Sequence, residues 1–295
     1  MLERLRGTVG IWTMTLDALA PHEATEAVAE LDELGYGALW VPEAWGREAF
    51  SAAGLYLASS SRLVVATGIA SIWGRDAVAT ANATRTLSGA YDERFLLGLG
   101  VSHRPLVERL RGHDYHSPVA AMSSYLEALD AAPMVAAEKD EPVTRVIAAL
   151  GPHMLGLASE RAHGAHTYNT TPEHTARARE ILGTSFLAVE QALVIGQSRE
   201  EYLARAHTHL EFYTGLENYR EHWRRLGFSD EDFVRGGSTR LCEAIVAHVN
   251  DDVSEVIASH VSAGADHVCL QILGGAGRDA STRAEWRDVA ARLSL

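Results

Sequence analysis

Residues Leu63–Ile69 read LVVATGI, and the loop Ala70-Ser71-Ile72-Trp73-Gly74-Arg75 follows directly. The run is short and apolar throughout, with no alternation of polar and apolar positions. That pattern marks a parallel strand covered on both faces. Working outward, seven more runs have the same character. They are Thr8–Thr13 (TVGIWT), Ala38–Val41 (ALWV), Phe95–Leu99 (FLLGL), Thr144–Ala149 (TRVIAA), Ala165–Tyr168 (AHTY), Leu187–Ile195 (LAVEQALVI) and His267–Ile272 (HVCLQI). Helix-like segments separate them, such as the amphipathic stretch His22–Leu34. Eight buried strands alternating with helices predict a (β/α)8 TIM barrel.

Local punctuation agrees. Leu34-Gly35 and Leu226-Gly227 read as glycine stops at helix C-termini. Thr171-Pro172-Glu173 reads as an N-cap with proline at the first helical position. The polar, aromatic stretch Ser198–Phe228, with a further helix around Ser238–His248, is longer than a usual crossover. It predicts a helical insertion before the last strand. No linker rich in Pro, Gly or Ser divides the chain, so residues 1–295 are expected to form one barrel domain.

The formal net charge of −13, from 26 Lys+Arg against 39 Asp+Glu, opposes binding to nucleic acid or to an anionic membrane surface. Any anionic cofactor must then be held by local devices, such as helix N-termini and a few arginines. Cys242 and Cys269 lie in separate elements without metal-binding spacing, and read as reduced core thiols. No signal peptide and no apolar run of membrane-spanning length is present, and the chain reads as cytoplasmic.

In such a barrel, chemistry sits on the loops that follow the strands. Those loops carry Glu43, Trp45, Trp73 and His103, with Gly100 and Gly151 allowing close backbone approach. Trp40, inside a strand, is expected in the core. The loop at Gly151 opens a helix whose amides could bind phosphate. Gly98-Leu99-Gly100 lacks the third glycine of a dinucleotide fingerprint. His207 and His209, two apart on a helix, point to different faces and make no zinc motif. His163, His166 and His267 read as structural or surface residues.

The ordered set VGIWT (Val9–Thr13), ELGYGALWVPEAWGREAF (Glu33–Phe50), VVATGIASIWGRDAVATANATRTL (Val64–Leu87), RFLLGLGVSH (Arg94–His103), ALGPHMLGLASERAHGAHTYNTTPEHTARARE (Ala149–Glu180) and GADHVCLQIL (Gly264–Leu273) resembles the bacterial luciferase-like superfamily. Within it, the chain is most similar in character to the actinobacterial coenzyme F420-dependent oxidoreductases. The resemblance implies hydride transfer between deazaflavin coenzyme F420 and a small organic substrate. An FMN-dependent monooxygenase on the same barrel, or a non-catalytic relative without cofactor, are the alternatives. It also implies a bulge with a non-prolyl cis peptide at Gly68–Ile69 beneath the cofactor ring. Cofactor contacts are expected from Ser102, from Leu150, Gly151, Pro152, His153 and Met154, and from Asn169, Thr170 and Thr171, with His174 and Arg177 near the phosphate or the tail. Trp12, Trp45 and Trp73 are expected around the substrate, and Glu43 and His103 are expected to handle the proton. Alcohol and sugar-phosphate dehydrogenases of this kind carry a histidine base where this chain has Ala44, and an acidic residue where it has His103. The resemblance further implies a homodimer formed through the first helices.

Overall fold

The computed structural model describes residues 1–135, 142–250, 252–274 and 282–295. Ten strands form one parallel sheet: β1 Val9–Trp12, β2 Ala38–Val41, β3 Val64–Thr67, β4 Ala70–Ser71, β5 Phe95–Gly100, β6 Arg145–Ala148, β7 Gly164–Thr167, β8 Phe186–Ile195, β9 Val246–Val249 and β10 His267–Ile272. Pairing runs β1-β2-β3-β5-β6-β7-β8-β10 and returns from β10 to β1, closing an eight-stranded barrel. Strand β4 continues β3 along β5, and β9 lies outside the ring on the far end of β8. Each expected strand is present to within one or two residues. Gly35 (φ +92°) and Gly227 (φ +90°) adopt the left-handed backbone that a glycine stop requires. The Thr171 hydroxyl accepts the His174 N–H at 3.4 Å, as an N-cap should.

Helices Arg199–Tyr213, Glu217–Arg225 and Thr239–Ile245 form the insertion between β8 and β10. One expectation needs correcting. The helix read around Ser238–His248 ends at Ile245, and Val246–Val249 becomes β9. The Gln191 amide takes the Ile245 carbonyl at 3.0 Å. The chain then turns extended at Val246 (φ −109°, ψ 118°) and pairs with Ala192–Ile195. A valine-rich segment beside a free strand edge gains more from the ladder than from another helical turn.

The core follows the strand pattern. Trp40, Cys242 and Cys269 are fully buried, and both cysteines are free. Asp32, at the end of helix Pro21–Glu33, accepts the N–H groups of Ser61 and Leu63 at 2.8 and 2.9 Å and so fixes the start of β3. Among the described residues, no helix is long and apolar enough to cross a membrane.

The feature that positions the site is the interruption after β3. Ala66 pairs with Leu96, but Ala70 pairs with Leu99, so the β3 side carries one extra residue. This is a β-bulge. The Gly68–Ile69 peptide within it is cis, as expected. The displaced backbone is re-bonded by a side chain: the Thr67 hydroxyl donates to the Gly98 carbonyl at 2.7 Å and accepts the Gly98 N–H at 2.8 Å. The Trp12 indole N–H donates to the Gly68 carbonyl at 2.9 Å. The two glycines of Gly98-Leu99-Gly100 make room for this. A Cβ at Gly98 would lie 2.0 Å from the Thr67 carbonyl oxygen, and one at Gly100 would lie 1.5 Å from Ile69 Cδ1.

The contact at Gly98 is with backbone, which cannot swing away. Gly98→Ala should therefore lower unfolding free energy by about 3 kcal/mol, the upper end for overpacking a closed core. Gly54→Ala, inside helix Ala49–Ala58 with only an ordinary 3.5 Å contact to Leu87, should raise it by about 0.5–1 kcal/mol. Urea denaturation of the two variants checks the pair; equal effects would remove the packing argument.

Candidate active site

The bulge forms part of the floor of a cavity of about 740 Å³ at the C-terminal ends of the strands. That volume suits a cofactor-sized ligand. Trp12, Gly68 and Ile69 lie at its base, Glu43, Ala44 and Trp45 on the loop after β2, Ser102 and His103 on the loop after β5, and Leu150, Gly151, Pro152, His153 and Met154 after β6. The structure thus brings twelve of the sequence-predicted residues to one surface. Trp45 remains 58% exposed at the mouth, with its ring edge-on to Phe212.

Glu43 is on the cavity wall, but its carboxylate is committed. It accepts the Ser71 N–H at 2.8 Å and pairs through both oxygens with the Arg75 guanidinium. Arg75 also pairs with Glu48 and lies over the Phe50 ring. Burial alone would lower the Arg75 pKa, yet the hydrogen bond and charge of Glu43, with Glu48, hold it above its ordinary value. The result is a buried bidentate clamp on the segment just past the bulge.

His103 is enclosed by Phe212 and Tyr219, with ring centroids 6.2 and 5.7 Å away. Burial lowers its pKa to about 4, against a smaller upward effect of a hydrogen bond with Asn218. The imidazole is therefore neutral at pH 7 and does not titrate in the physiological range, contrary to the expectation for an unperturbed histidine. Its Nδ1 atom has no hydrogen-bond partner.

Gly151 is the N-cap of helix Pro152–Arg161, with Pro152 at the first position. The amides of the first turn beyond it have no acceptor within the helix, which makes this end of the cavity suited to an anion.

Other predicted residues stand behind the wall. Trp73 donates its indole N–H to the Val101 carbonyl at 2.9 Å and packs on His113 and Tyr115, outside the cavity. Asn169 (φ +53°) ties β7 to the insertion: its carbonyl accepts the Trp223 indole N–H and its amide oxygen meets His209. Thr170 is buried, Thr171 caps a helix, His174 packs edge-on against His222, and Arg177 pairs with Glu173. None of these lines the cavity.

Sequence reasoning missed the insertion's share of the site. His209, Phe212 and Tyr213 on one inserted helix, and Asn218, Tyr219, Glu221 and Arg225 on the next, all line the cavity. The i, i+3, i+4 spacing of His209, Phe212 and Tyr213 was the available signal for one face. Tyr168 was also missed as a lining residue. Its hydroxyl donates to Gln271 Oε1 at 2.8 Å, so it accepts from Tyr213 at 2.9 Å. Burial holds the Tyr168 hydroxyl well above its ordinary pKa. His166, read as structural or surface, lies at the cavity base, stacked on Trp40 at 4.5 Å, with its pKa lowered by burial to about 3.

Comparison with known proteins adds to this geometry. A Mycobacterium tuberculosis protein assigned by name to the coenzyme F420-dependent oxidoreductases is 30% identical over 119 residues, 40% of this chain. The match spans only 33% of that relative's length. An F420-dependent secondary alcohol dehydrogenase, solved with an F420-acetone adduct, superposes with a TM-score of 0.75 at 12% identity over 98% of both chains. The oxygenating constituent of 3,6-diketocamphane monooxygenase from Pseudomonas putida, solved with FMN, gives a TM-score of 0.66 at 13% identity over 98% of this chain and 97% of that one. At those identities the two structures establish the fold. The luciferase-like monooxygenase family model matches residues 8–271, and the chain belongs to that family.

Proposed function

We propose that this protein is an oxidoreductase that holds coenzyme F420 in the barrel mouth and transfers hydride between it and a small organic substrate. The observation that carries the reading is the Gly68–Ile69 bulge opening onto a cavity with a helix N-terminus at Gly151. The residues present fit a planar ring with an anionic tail: Ile69 and Trp12 offer apolar surface for the ring, and the Gly151–Met154 turn offers amides for a phosphate. The relative named for F420 supports the deazaflavin over FMN. The FMN-bound neighbour keeps the oxygen-using alternative as the second reading.

When bound, the deazaflavin supplies the hydride donor or acceptor. The chain's own groups do the rest. His103 handles the substrate proton. Being neutral at pH 7, it accepts a proton during substrate oxidation, and Asn218 holds its ring. Glu43 does not share this task, because Arg75 and the Ser71 amide occupy its oxygens. It positions the segment after the bulge instead. Tyr168 and Tyr213, hydrogen-bonded to one another through their hydroxyls, also line the cavity and could orient a polar group of the substrate. Trp45 and Phe212 narrow the mouth and limit water.

A homodimer is part of the proposal. Helices Ala49–Ala58 and Ala77–Ala90 leave Leu55 and Val78 48% and 42% exposed. Such a face is suited to a second copy.

Titration of the protein with F420 and with FMN, followed by deazaflavin or flavin fluorescence, should show micromolar or tighter binding of F420 and weak or no binding of FMN. The reverse order would shift the reaction to oxygen-dependent chemistry, and binding of neither would leave a non-catalytic relative. With a confirmed substrate, His103→Ala should reduce turnover by about 10²–10⁴ while cofactor affinity stays within a few-fold. In the oxidation direction kcat/KM should be flat from pH 8 down to about 5 and fall as pH drops through about 4, where His103 gains its proton. An acid limb near the ordinary histidine value would contradict the role. Sedimentation at micromolar concentration should give twice the mass of one chain, and Leu55→Glu should give a monomer; a wild-type monomer rejects the dimer.

A further inference from the structure

We propose that Arg225, on the inserted helix Glu217–Arg225, is the anion clamp of this cavity and holds the cofactor's phosphate against the first turn of helix Pro152–Arg161. The proposal rests on the flavin-type reading above and adds to it a residue from the insertion.

In a chain with 39 acidic and 26 basic residues, most described arginines have an acidic partner, though Arg94 and Arg220 bond carbonyl oxygens instead. Arg224, the helical neighbour of Arg225, pairs with Glu217, Glu221 and Asp230, and Arg177 pairs with Glu173. Arg225 has no carboxylate within ion-pair distance among the described residues. Its guanidinium instead reaches the cavity, with Nη2 3.8 Å from where a Cβ on Gly151 would sit. Arg225 is the single Arg or Lys lining the cavity among the described residues.

The Arg225 side chain lines the cavity while remaining exposed to solvent, so it is free to meet a ligand there. Partial burial lowers its pKa, and the charge of Glu221 opposes the shift. An anion at Gly151 would meet the guanidinium and the first-turn amides of the helix at the same point. The neighbouring imidazoles do not substitute for the arginine. His174 and His222 pack edge-on at 4.4 Å, and burial keeps both neutral at pH 7. Among the described residues, Arg225 is the one arginine or lysine that lines the cavity at this end, where His153 also lies.

The location also makes the contact informative. The Arg225 carbonyl accepts an N–H of Arg177 at 2.6 Å, which joins the inserted helix to the helix after β7. Two residues earlier, the Trp223 indole ties the inserted helix to Asn169. A phosphate bridging Arg225 and Gly151 would thus connect the insertion to the barrel through the ligand itself.

F420 and FMN share the phosphate, so the probes must separate that group from the ring. Arg225→Gln, wild type and the control Arg224→Gln would each be titrated with F420, with FMN and with phosphate-free riboflavin and deazariboflavin, at low and high salt, by ligand fluorescence. Arg225→Gln should bind the cofactor preferred by wild type at least about ten-fold more weakly, the loss expected for one charge-assisted hydrogen bond. Its salt dependence should flatten, its affinity for the phosphate-free form should match wild type, and Arg224→Gln should behave as wild type. Unchanged affinity in Arg225→Gln, or an equal loss with the phosphate-free form, overturns the clamp while leaving the cofactor reading intact. Failure of wild type to bind either phosphate-bearing cofactor overturns both. Unchanged circular dichroism of Arg225→Gln, whose side chain is on the surface of the helix, confirms that the comparison is between folded proteins.

Discussion

The site depends on one steric fit: the backbone of Thr67–Ile69 bulges into space that Gly98 and Gly100 leave open. A Cβ at either glycine would enter the volume of the bulge. The Thr67 hydroxyl then serves both backbone groups of Gly98 that a regular ladder would have served. Buried polar groups must be paired, so this substitution of side chain for backbone allows the bulge to exist inside a closed barrel. The consequence is directional. Ile69 lines the cavity and the Gly68 carbonyl is turned to Trp12, so the bulge forms part of the cavity floor.

Two electrostatic devices arrange the space above that floor. Glu43 pairs with Arg75, which also pairs with Glu48, and the Glu43 carboxylate anchors the segment that leaves the bulge through the Ser71 N–H. The helix start at Gly151 and Arg225, which has no ion-pair partner among the described residues, lie together at another part of the cavity. A ligand with an uncharged ring and an anionic tail meets both in one orientation. The two predicted proton groups differ in their surroundings: both Glu43 oxygens are held by Ser71 and Arg75, whereas the buried His103 Nδ1 has no hydrogen-bond partner.

Much of the fold was legible because a strand covered on both faces leaves an uninterrupted apolar run, and eight such runs survive reading without structure. The helix stops at Gly35 and Gly227 and the cap at Thr171 were legible because each is a local chemical requirement. The end of the helix at Ile245 was not, because β9 forms only against the exposed tail of β8, a partner some fifty residues away in sequence. The site divides in the same way. Residues immediately after strands, such as Glu43, His103 and Gly151, were found from their place in the barrel. Asn218, Tyr219 and Arg225 were not, since nothing in a polar helix says which face will lie over a cavity. Asn169, Thr170, His174 and Arg177 follow a strand too, yet the insertion packs over them and sets them one layer back.

The most direct test of the account is a crystal structure of the protein soaked with F420. The account predicts the deazaflavin ring lying on Ile69 and Trp12, with its phosphate between the Gly151–Met154 turn and the Arg225 guanidinium. A ring bound elsewhere in the barrel mouth, or a phosphate out of reach of Gly151, would contradict it.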